Sequence, residues 1–224
     1  MTNNIKYTRN SNFFNKITIK NCAYAGFIAA DGCIYEYNDN NKRLKIELSL
    51  KDIEYLESFK KDIEYSGPIL RYKYPYTYKN NTIYYHKCHL HISDINIVND
   101  LAKNFGIFKK KSFNIKPPNL TGNYKLAFII GLLDGDGCIR ISKTHGFEIH
   151  YCSASFSLIK WVVDALNLLV PNFVKIKQPA TIFKDINRKN VLYTFAIRGK
   201  RAKQIYNKLK KIKCNKMKRK WQWQ

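Results

Sequence analysis

The sequence predicts an α+β fold of two pseudo-symmetric αββαββα units, with one helix from each unit packed at the centre. The first observation is an internal repeat, in which residues 24–32 (YAGFIAADG) match residues 129–137 (IIGLLDGDG). A Cys-Ile pair follows each copy, and Asp31 aligns with Asp136, 105 residues further along the chain. The second observation is that apolar and polar residues alternate in the segments after each copy, which is typical of half-buried strands. The third is that the same order of helices and strands occurs twice.

Each repeated motif predicts a buried helix that ends at an acid. Gly26 and Gly131 are small residues within apolar runs, and small residues let two helices approach closely. Each run ends in Asp-Gly, and glycine allows the chain to leave a helix. Asp31 and Asp136 would therefore meet at helix C-termini, where the macrodipole disfavours an anion. A bound divalent cation would relieve their repulsion, so the pair predicts a metal site. A solvated turn aspartate is the alternative for one copy, but two matched copies argue against it.

Composition points to a polyanionic partner. The 224 residues carry 40 Lys and Arg against 16 Asp and Glu, a formal net charge of +24, and 45% of the residues are hydrophobic. This combination indicates a folded protein that binds nucleic acid. A membrane surface is less well supported, because the chain has neither a basic amphipathic helix with a strong apolar face nor a bilayer-length apolar run. The six cysteines form no CxxC pair, so we expect reduced thiols and no zinc site.

The first unit is predicted to span residues 1–111. Its first 17 residues are polar, and we expect them to be loosely held. Asn and Asp residues at 38–41 and a Gly-Pro pair at 67–68 mark turns between its elements. The predicted elements in order are a helix over 19–30, strands over 33–37 and 43–50, a helix over 52–65, strands over 69–74 and 83–92 with a turn near 79–81, and a helix over 94–105.

Pro and Gly residues indicate a linker over 112–123, and the second unit is predicted over 124–224. Its predicted elements are a helix over 124–133, strands over 138–143 and 147–153, a helix over 155–169, strands over 173–178 and 190–197, and a helix over 199–211. After Asp185 the chain contains no acid, and the basic end could be a solvated extension. Apolar residues such as Met217 and Trp221 favour at least partial order.

The two motifs resemble the paired signature of the LAGLIDADG homing endonucleases, in the single-chain form that carries both copies. Gly131, Asp134, Asp136 and Gly137 all fall on the pattern of that family. The first copy departs at Ala29, where the family usually has an acid that is not used for metal. This resemblance implies a saddle of two antiparallel sheets that binds duplex DNA, and a chain that acts as a monomer.

Alternation outward from each motif acid predicts the residues that face the DNA groove of the saddle. Strands and two-stranded ribbons can enter the major groove, and these polar side chains suit the reading of base edges. Because the two halves differ, we expect an asymmetric target. The candidates are Tyr35, Tyr37, Arg43, Lys45, Glu47, Ser49, Arg71, Lys73, Tyr85, Lys87 and His89 in the first half, and Arg140, Ser142, Thr144, Glu148, His150, Lys175, Lys177, Asn190 and Thr194 in the second.

The resemblance also implies the chemistry. Asp31 and Asp136 would hold Mg²⁺ over the scissile phosphates, with Mn²⁺ able to substitute, and the carbonyl groups of Ala30 and Gly135 could add oxygen ligands. Family members place a lysine late in each unit near the active centre. Lys111 and Lys220 are the choices here, although neighbouring lysines remain alternatives.

The predicted function is a site-specific homing endonuclease that makes a Mg²⁺-dependent double-strand break in a long DNA target. An RNA maturase that binds its host intron, or a DNA-binding protein that does not cleave, is the alternative on the same scaffold. Both acids are present, which favours the nuclease. Richness in Lys, Asn, Ile and Tyr is typical of an AT-rich genome. We therefore expect an intracellular protein of a mitochondrion, plastid, phage or bacterium.

Overall fold

The computed structural model describes residues 7–79, 81–174, 180–183 and 191–223, the run 180–183 by its backbone alone. Two four-stranded antiparallel sheets and their helices make up this part of the chain. The predicted α+β class with two αββαββα units is confirmed.

The first unit begins with the motif helix and continues directly into its first strand. Its sheet has the strand order β1-β2-β4-β3, so β3 is an edge strand. The elements are α1 (Ile19–Asp31), β1 (Gly32–Asn38), β2 (Asn41–Ser49), α2 (Ile53–Asp62), β3 (Leu70–Tyr78), β4 (Asn81–Ser93) and α3 (Ile95–Phe105).

The second unit repeats this plan with the strand order β5-β6-β8-β7. The matching orders of the two sheets are the structural counterpart of the sequence repeat. The elements are α4 (Gly122–Gly135), β5 (Cys138–Ser142), β6 (Gly146–Ser153), α5 (Phe156–Leu169), β7 (Ala180–Phe183), β8 (Leu192–Arg198), α6 (Gly199–Lys210) and the short α7 (Lys218–Trp221).

Helices α1 and α4 cross in direct backbone contact. A Cβ atom added to Gly26 would lie 1.9 Å from the Phe128 carbonyl oxygen, and one added to Gly131 would lie 2.0 Å from the Ala23 carbonyl oxygen. Only glycine fits at these two points, because any side chain would overlap the facing main chain. The small residues of the motifs therefore serve the close approach that the sequence predicts.

Local signals fix where α1 begins. Thr18 precedes the helix and accepts a hydrogen bond from the Asn21 main-chain N–H, while the Asn21 side chain accepts one from the Thr18 N–H at 2.7 Å. This reciprocal pair satisfies two N–H groups that the first turn would otherwise leave without partners. The helix then remains buried from Asn21 to Ile28 and ends at the motif acid.

Each sheet has a core face and an open face. In β2, the buried residues Leu44, Ile46 and Leu48 alternate with partly exposed neighbours, as predicted. Helix α3 packs on β2, and helices α5 and α6 pack on β6. These helices cover the core faces, so the opposite faces of both sheets are left for a partner.

Several predicted boundaries change. The helix predicted over 52–65 ends at Asp62, and Glu64 takes a left-handed conformation at φ 54°. The predicted strand over 173–178 does not form at residues 173–174, and its other residues lie outside the described part of the chain. The start of the chain is not loose over residues 7–17, since Phe14 is fully buried and the Arg9 guanidinium lies 2.6 Å from the Asp94 carboxylate.

The basic C-terminal end is ordered up to Trp223, in agreement with the apolar residues that favoured order. Met217 and Trp221 are buried, and the Trp221 ring stacks on Tyr206 with 5.2 Å between ring centroids. Among the described residues, no helix has both the length and the apolar composition needed to cross a bilayer.

Replacing Gly131 with alanine tests the helix crossing. We expect Gly131→Ala to lower the free energy of unfolding by about 2 to 3 kcal/mol, because the new methyl group forces the two backbones apart. Asn123→Ala, on the exposed first turn of the same helix, is the matched control and should change stability by less than about 0.5 kcal/mol. Urea denaturation measures both, and an unchanged midpoint for Gly131→Ala would contradict the close contact.

Candidate active site

The two motif acids lie at the same end of the helix pair. Asp31 is the last residue of α1, and Asp136 caps α4. A Cβ atom placed on Gly135 would lie 3.4 Å from Oδ2 of Asp31 and 2.4 Å from Cβ of Ala30. Both carboxylates reach solvent, at the base of the open faces. The structure thus brings together the four residues that were predicted to bind metal.

The electrostatics of this pair agree with the repulsion expected from the sequence. Desolvation, and after it the charge of Asp136, raise the pKa of Asp31 to about 6. Desolvation also raises the pKa of Asp136. The two carboxylates are therefore harder to ionise together than either would be alone.

Lys220 lies buried beneath the end of α4. Four carbonyl oxygens lie within hydrogen-bond distance of its side-chain nitrogen, those of Leu133 at 2.9 Å, Asp134 at 2.5 Å, Gly135 at 2.8 Å and Gly137 at 2.7 Å, and they share its three N–H groups. A cation is favourable there, because the last carbonyl groups of a helix lack main-chain partners and carry partial negative charge. The carbonyl of Gly135, predicted as a metal ligand, is therefore already bonded to a lysine.

Lys111 holds the matching place in the first unit. It is 6% exposed, and its ammonium group donates to the carbonyl oxygen of Gly32, directly after Asp31. Burial lowers the pKa of both Lys111 and Lys220. Their charges in turn lower the pKa of both acids, against the desolvation that raises it. Among the neighbouring lysines, these two are therefore the ones that reach the acid pair.

The inner acid of the second motif has a structural role. Asp134 is fully buried and accepts hydrogen bonds from Nε1 of Trp221 at 2.6 Å and from the Met217 main-chain N–H at 3.1 Å. Its carboxylate thereby anchors the segment that carries Lys220. Ala29 occupies the matching place in the first motif, so the first unit holds Lys111 without such an anchor.

The same C-terminal segment is also tied to the other unit. Nε of Arg219 donates to both carboxylate oxygens of Asp52, at 2.8 Å and 3.0 Å, and the Lys218 ammonium pairs with Glu54. Asp52 is buried and Glu54 lies on α2, so both contacts cross from the C-terminal end to the first unit. The lysine of one site is therefore placed by residues of both halves.

The donors at the acid pair fit a hard divalent cation. Asp31 and Asp136 offer carboxylate oxygens that reach solvent, and such oxygens suit Mg²⁺ or Mn²⁺. Within the described ranges no three His, Cys, Asp or Glu residues form a closed metal cluster. An ion held here would therefore complete its ligand set with water and substrate oxygens, which leaves positions open for chemistry.

Strand pairing shows which of the predicted groove residues share the open faces. Tyr35 pairs with Arg43, and Glu47 pairs with His89, all on the face away from the core. Thr144 lies in the turn between β5 and β6 rather than on a strand. The predicted residues on the open faces are Tyr35, Tyr37, Arg43, Lys45, Glu47, Ser49, Tyr85, Lys87 and His89 of the first sheet, and Arg140, Ser142, Glu148, His150 and Thr194 of the second.

Two predicted residues lie on the wrong face. Arg71 pairs with buried Cys88, and Lys73 pairs with His86, so both point to the helix-covered side of the first sheet. The Arg71 side chain lies 4.0 Å from Glu57 of α2, in agreement with this placement. Lys175, Lys177 and Asn190 lie outside the described residues.

Other residues on the open faces were missed. Tyr72 and Tyr74 take the places assigned to Arg71 and Lys73, because they pair with Lys87 and Tyr85. His91 and Arg198 also lie on these faces, opposite Lys45 and Glu148. The period-two rule would have found His91 and Arg198, since they follow His89 and Thr194 by even numbers of residues.

Ion pairs hold the charged side chains on the open faces. The Glu47 carboxylate contacts Lys45 at 2.7 Å and Lys87 at 2.8 Å, and although desolvation opposes ionisation, these bonds lower its pKa to about 2. The hydrogen bond from Arg140 likewise lowers the pKa of Glu148 to about 2, with Arg198 at 3.2 Å on the other oxygen. Both carboxylates therefore stay charged at neutral pH and hold their cations on the open faces.

Comparisons with known proteins agree with this geometry. Residues 123–209 match the family model described as LAGLIDADG-like domain. A search of curated proteins gives no match. The fold is similar to that of the homing endonuclease I-WcaI bound to its DNA recognition sequence, with a TM-score of 0.52 and 14% identity over 92% of this chain and 88% of that one. It is also similar to I-DmoI in complex with DNA and Ca, with a TM-score of 0.50 and 12% identity over 89% and 90%.

Two sheets around a pair of helices that each end at an aspartate define the LAGLIDADG class of fold. The resemblance drawn from the two motifs is thereby confirmed. The family match covers residues 123–209, and the fold shared with the homing endonuclease I-WcaI extends over 92% of the chain.

The raised pKa of Asp31 predicts a dependence of stability on pH. Between its ordinary pKa of 3.8 and its folded pKa of about 6, rising pH ionises Asp31 more readily in the unfolded chain, so the wild type loses stability. Asp31→Asn removes this loss. In metal-free buffer we expect the variant to gain about 1 kcal/mol over the wild type above pH 6, since solvent screens the exposed carboxylate. Urea unfolding of both proteins at low and at high pH measures this gain. A difference in unfolding free energy between variant and wild type that stayed constant with pH would contradict it.

Proposed function

We propose that this protein is a DNA endonuclease that cuts both strands of a specific duplex target with the help of Mg²⁺. The observation that carries the proposal is the placement of Asp31 and Asp136 side by side at the base of two open, cation-rich sheet faces. The folds similar to it include homing endonucleases bound to DNA, one of them with Ca. The net charge of +24 supports a polyanionic substrate.

The acids and the lysines of the site would have different roles in the reaction. Asp31 and Asp136 would hold the metal ions against the scissile phosphates, one near each strand. When bound, such ions supply an activated water and stabilise the leaving oxygen. Lys111 and Lys220 fix the helix ends and offset the negative charge of the acid pair. Their bonds to carbonyl groups favour this electrostatic role over direct proton transfer.

The open faces would bind the duplex and read its bases. Arg43, Lys45 and Lys87 give the first face its cations, whereas Arg140 and Arg198 flank Glu148 on the second. Arginine can bond two groups of a guanine edge, and glutamate can accept from cytosine. Because the faces present different side chains at matching positions, the target should lack two-fold symmetry. One chain supplies both motif helices, so it would act as a monomer.

Neither alternative is favoured by a particular observation. A maturase or a non-cleaving DNA-binding protein would not need two carboxylates at the same helix ends, where repulsion and the macrodipole oppose them. Intron RNA is a second candidate ligand of the basic surface, and an RNA-binding assay tests it separately.

The test is cleavage of a randomised duplex library with Mg²⁺ and, in parallel, with Mn²⁺. We expect double-strand cutting at a defined site by the wild type. Asp31→Asn and Asp136→Asn should each abolish it, because each removes a ligand of the metal. Asp164→Asn is the matched control, since Asp164 is an exposed carboxylate on α5 that pairs with Lys160, and it should cut like the wild type.

The readout separates the candidate functions. Tight duplex binding by the wild type without cutting in either metal would contradict the nuclease and support the non-cleaving protein or the maturase. Cutting that survives in both acid variants would place the chemistry elsewhere on the chain.

A further inference from the structure

The end of the β3–β4 hairpin extends beyond the rest of the first sheet. The last pair between β2 and β4 is Ser49 with Lys87, so the residues of β4 before Lys87 pair with β3 alone. We call residues 73–79 and 81–86 the ribbon. A two-stranded ribbon of this kind has the dimensions to enter the major groove of B-DNA. It lies on the edge of the sheet opposite β1, three strand spacings or about 14 Å from the strand that follows Asp31.

One face of the ribbon carries a row of aromatic and apolar side chains. Each of them is between 46% and 58% exposed. Tyr74 pairs with Tyr85 and Tyr76 pairs with Ile83, so these residues share the face that continues into Lys87 and His89. We name this set the tyrosine row, and its members are Tyr74, Tyr76, Tyr78, Ile83 and Tyr85.

Contacts between neighbours hold the tyrosine row in place. The rings of Tyr76 and Tyr85 pack with 6.0 Å between centroids, and the Lys87 ammonium lies 5.3 Å from the centre of the Tyr74 ring. Cross-strand aromatic pairs of this kind stabilise a ribbon and limit the freedom of its side chains. The row therefore offers a preorganised apolar surface.

The chemistry of the row differs from that of the charged part of the open face. The ribbon sequence contains no Asp, Glu or Arg, so it lacks the side chains that read guanine or cytosine most strongly. Lys73 lies on the opposite face, and Lys79 lies at the turn. The base-edge group that an apolar surface contacts in the major groove is the 5-methyl group of thymine.

We propose that the tyrosine row reads thymine methyl groups, so that the outer part of the half-site bound by the first unit is rich in A·T pairs. This inference rests on the proposed binding of duplex DNA and adds the base composition of one target segment. Continuity of the row with Lys87 and His89 on the open face favours DNA over a protein partner.

The experiment is a binding selection without divalent metal from two randomised duplex libraries, one with thymine and one with uracil in its place. Uracil differs from thymine at this edge only by lacking the methyl group. In the thymine library we expect T to be enriched in an outer segment of one half-site. In the uracil library, the enrichment of uracil in that outer segment should be about three- to fourfold lower per contacted base than that of thymine, since one buried methyl group is lost. Base preferences nearer the cleavage site should be the same in both libraries.

Two variants on the same ribbon connect the effect to the tyrosine row. Tyr76→Ser should lose the thymine preference of the outer segment. Tyr84→Ser is the matched control, because Tyr84 is 59% exposed, pairs with Pro75 and lies on the opposite face. It should keep the preference.

The outcomes separate this inference from the proposed function. Enriched duplexes with no outer thymine preference, or with an equal preference for uracil, would overturn the inference and leave DNA binding intact. A library in which no duplex is enriched would overturn both. A Tyr76→Ser variant with unchanged base preference but a lower mass in sedimentation would instead assign the row to self-association.

Discussion

The contact between α1 and α4 is the constraint on which the rest of the molecule depends. At Gly26 and Gly131 the two backbones touch with no side chain between them, and at Gly135 the second helix comes against Ala30 and Asp31. This closeness brings two carboxylates to one place, at helix ends that disfavour them. Desolvation and, after it, the charge of Asp136 raise the pKa of Asp31, so ionising both acids without a cation is unfavourable. A bound cation would relieve this repulsion, so the site is suited to metal-dependent chemistry.

Two buried lysines offset the negative charge of the acid pair. Burying an ammonium group is costly unless hydrogen bonds replace its water, and Lys220 finds four carbonyl oxygens at the end of α4. Its segment is anchored to the second unit through Asp134 and to the first unit through Asp52. The two halves are therefore joined twice, once by the motif helices and once by the C-terminal end, and both joints meet at the acid pair.

The repeat, the helix pair and the placement of the acids could be predicted from the sequence, because small residues and the Asp-Gly ending constrain the backbone directly. The side chains of β3 that lie on the open face could not be predicted. A turn over 79–81 would pair Tyr78 with Thr82 and put Arg71 and Lys73 on the open face, but Tyr78 pairs with Asn81, and a shift of one residue exchanges the faces. No burial pattern could correct the error, since the β3 residues are almost all exposed. The partners of Lys220 also escaped prediction, because they join residues more than 80 positions apart.

The proposed reaction depends on Asp31 and Asp136 binding the metal ions together. The most direct measurement is anomalous scattering from Mn²⁺ in crystals of the protein bound to its uncut target duplex. We expect ordered ions bound to carboxylate oxygens of both Asp31 and Asp136, with phosphate oxygens and water completing the shell. Ordered ions bound at other acids, with neither Asp31 nor Asp136 as a ligand, would contradict it.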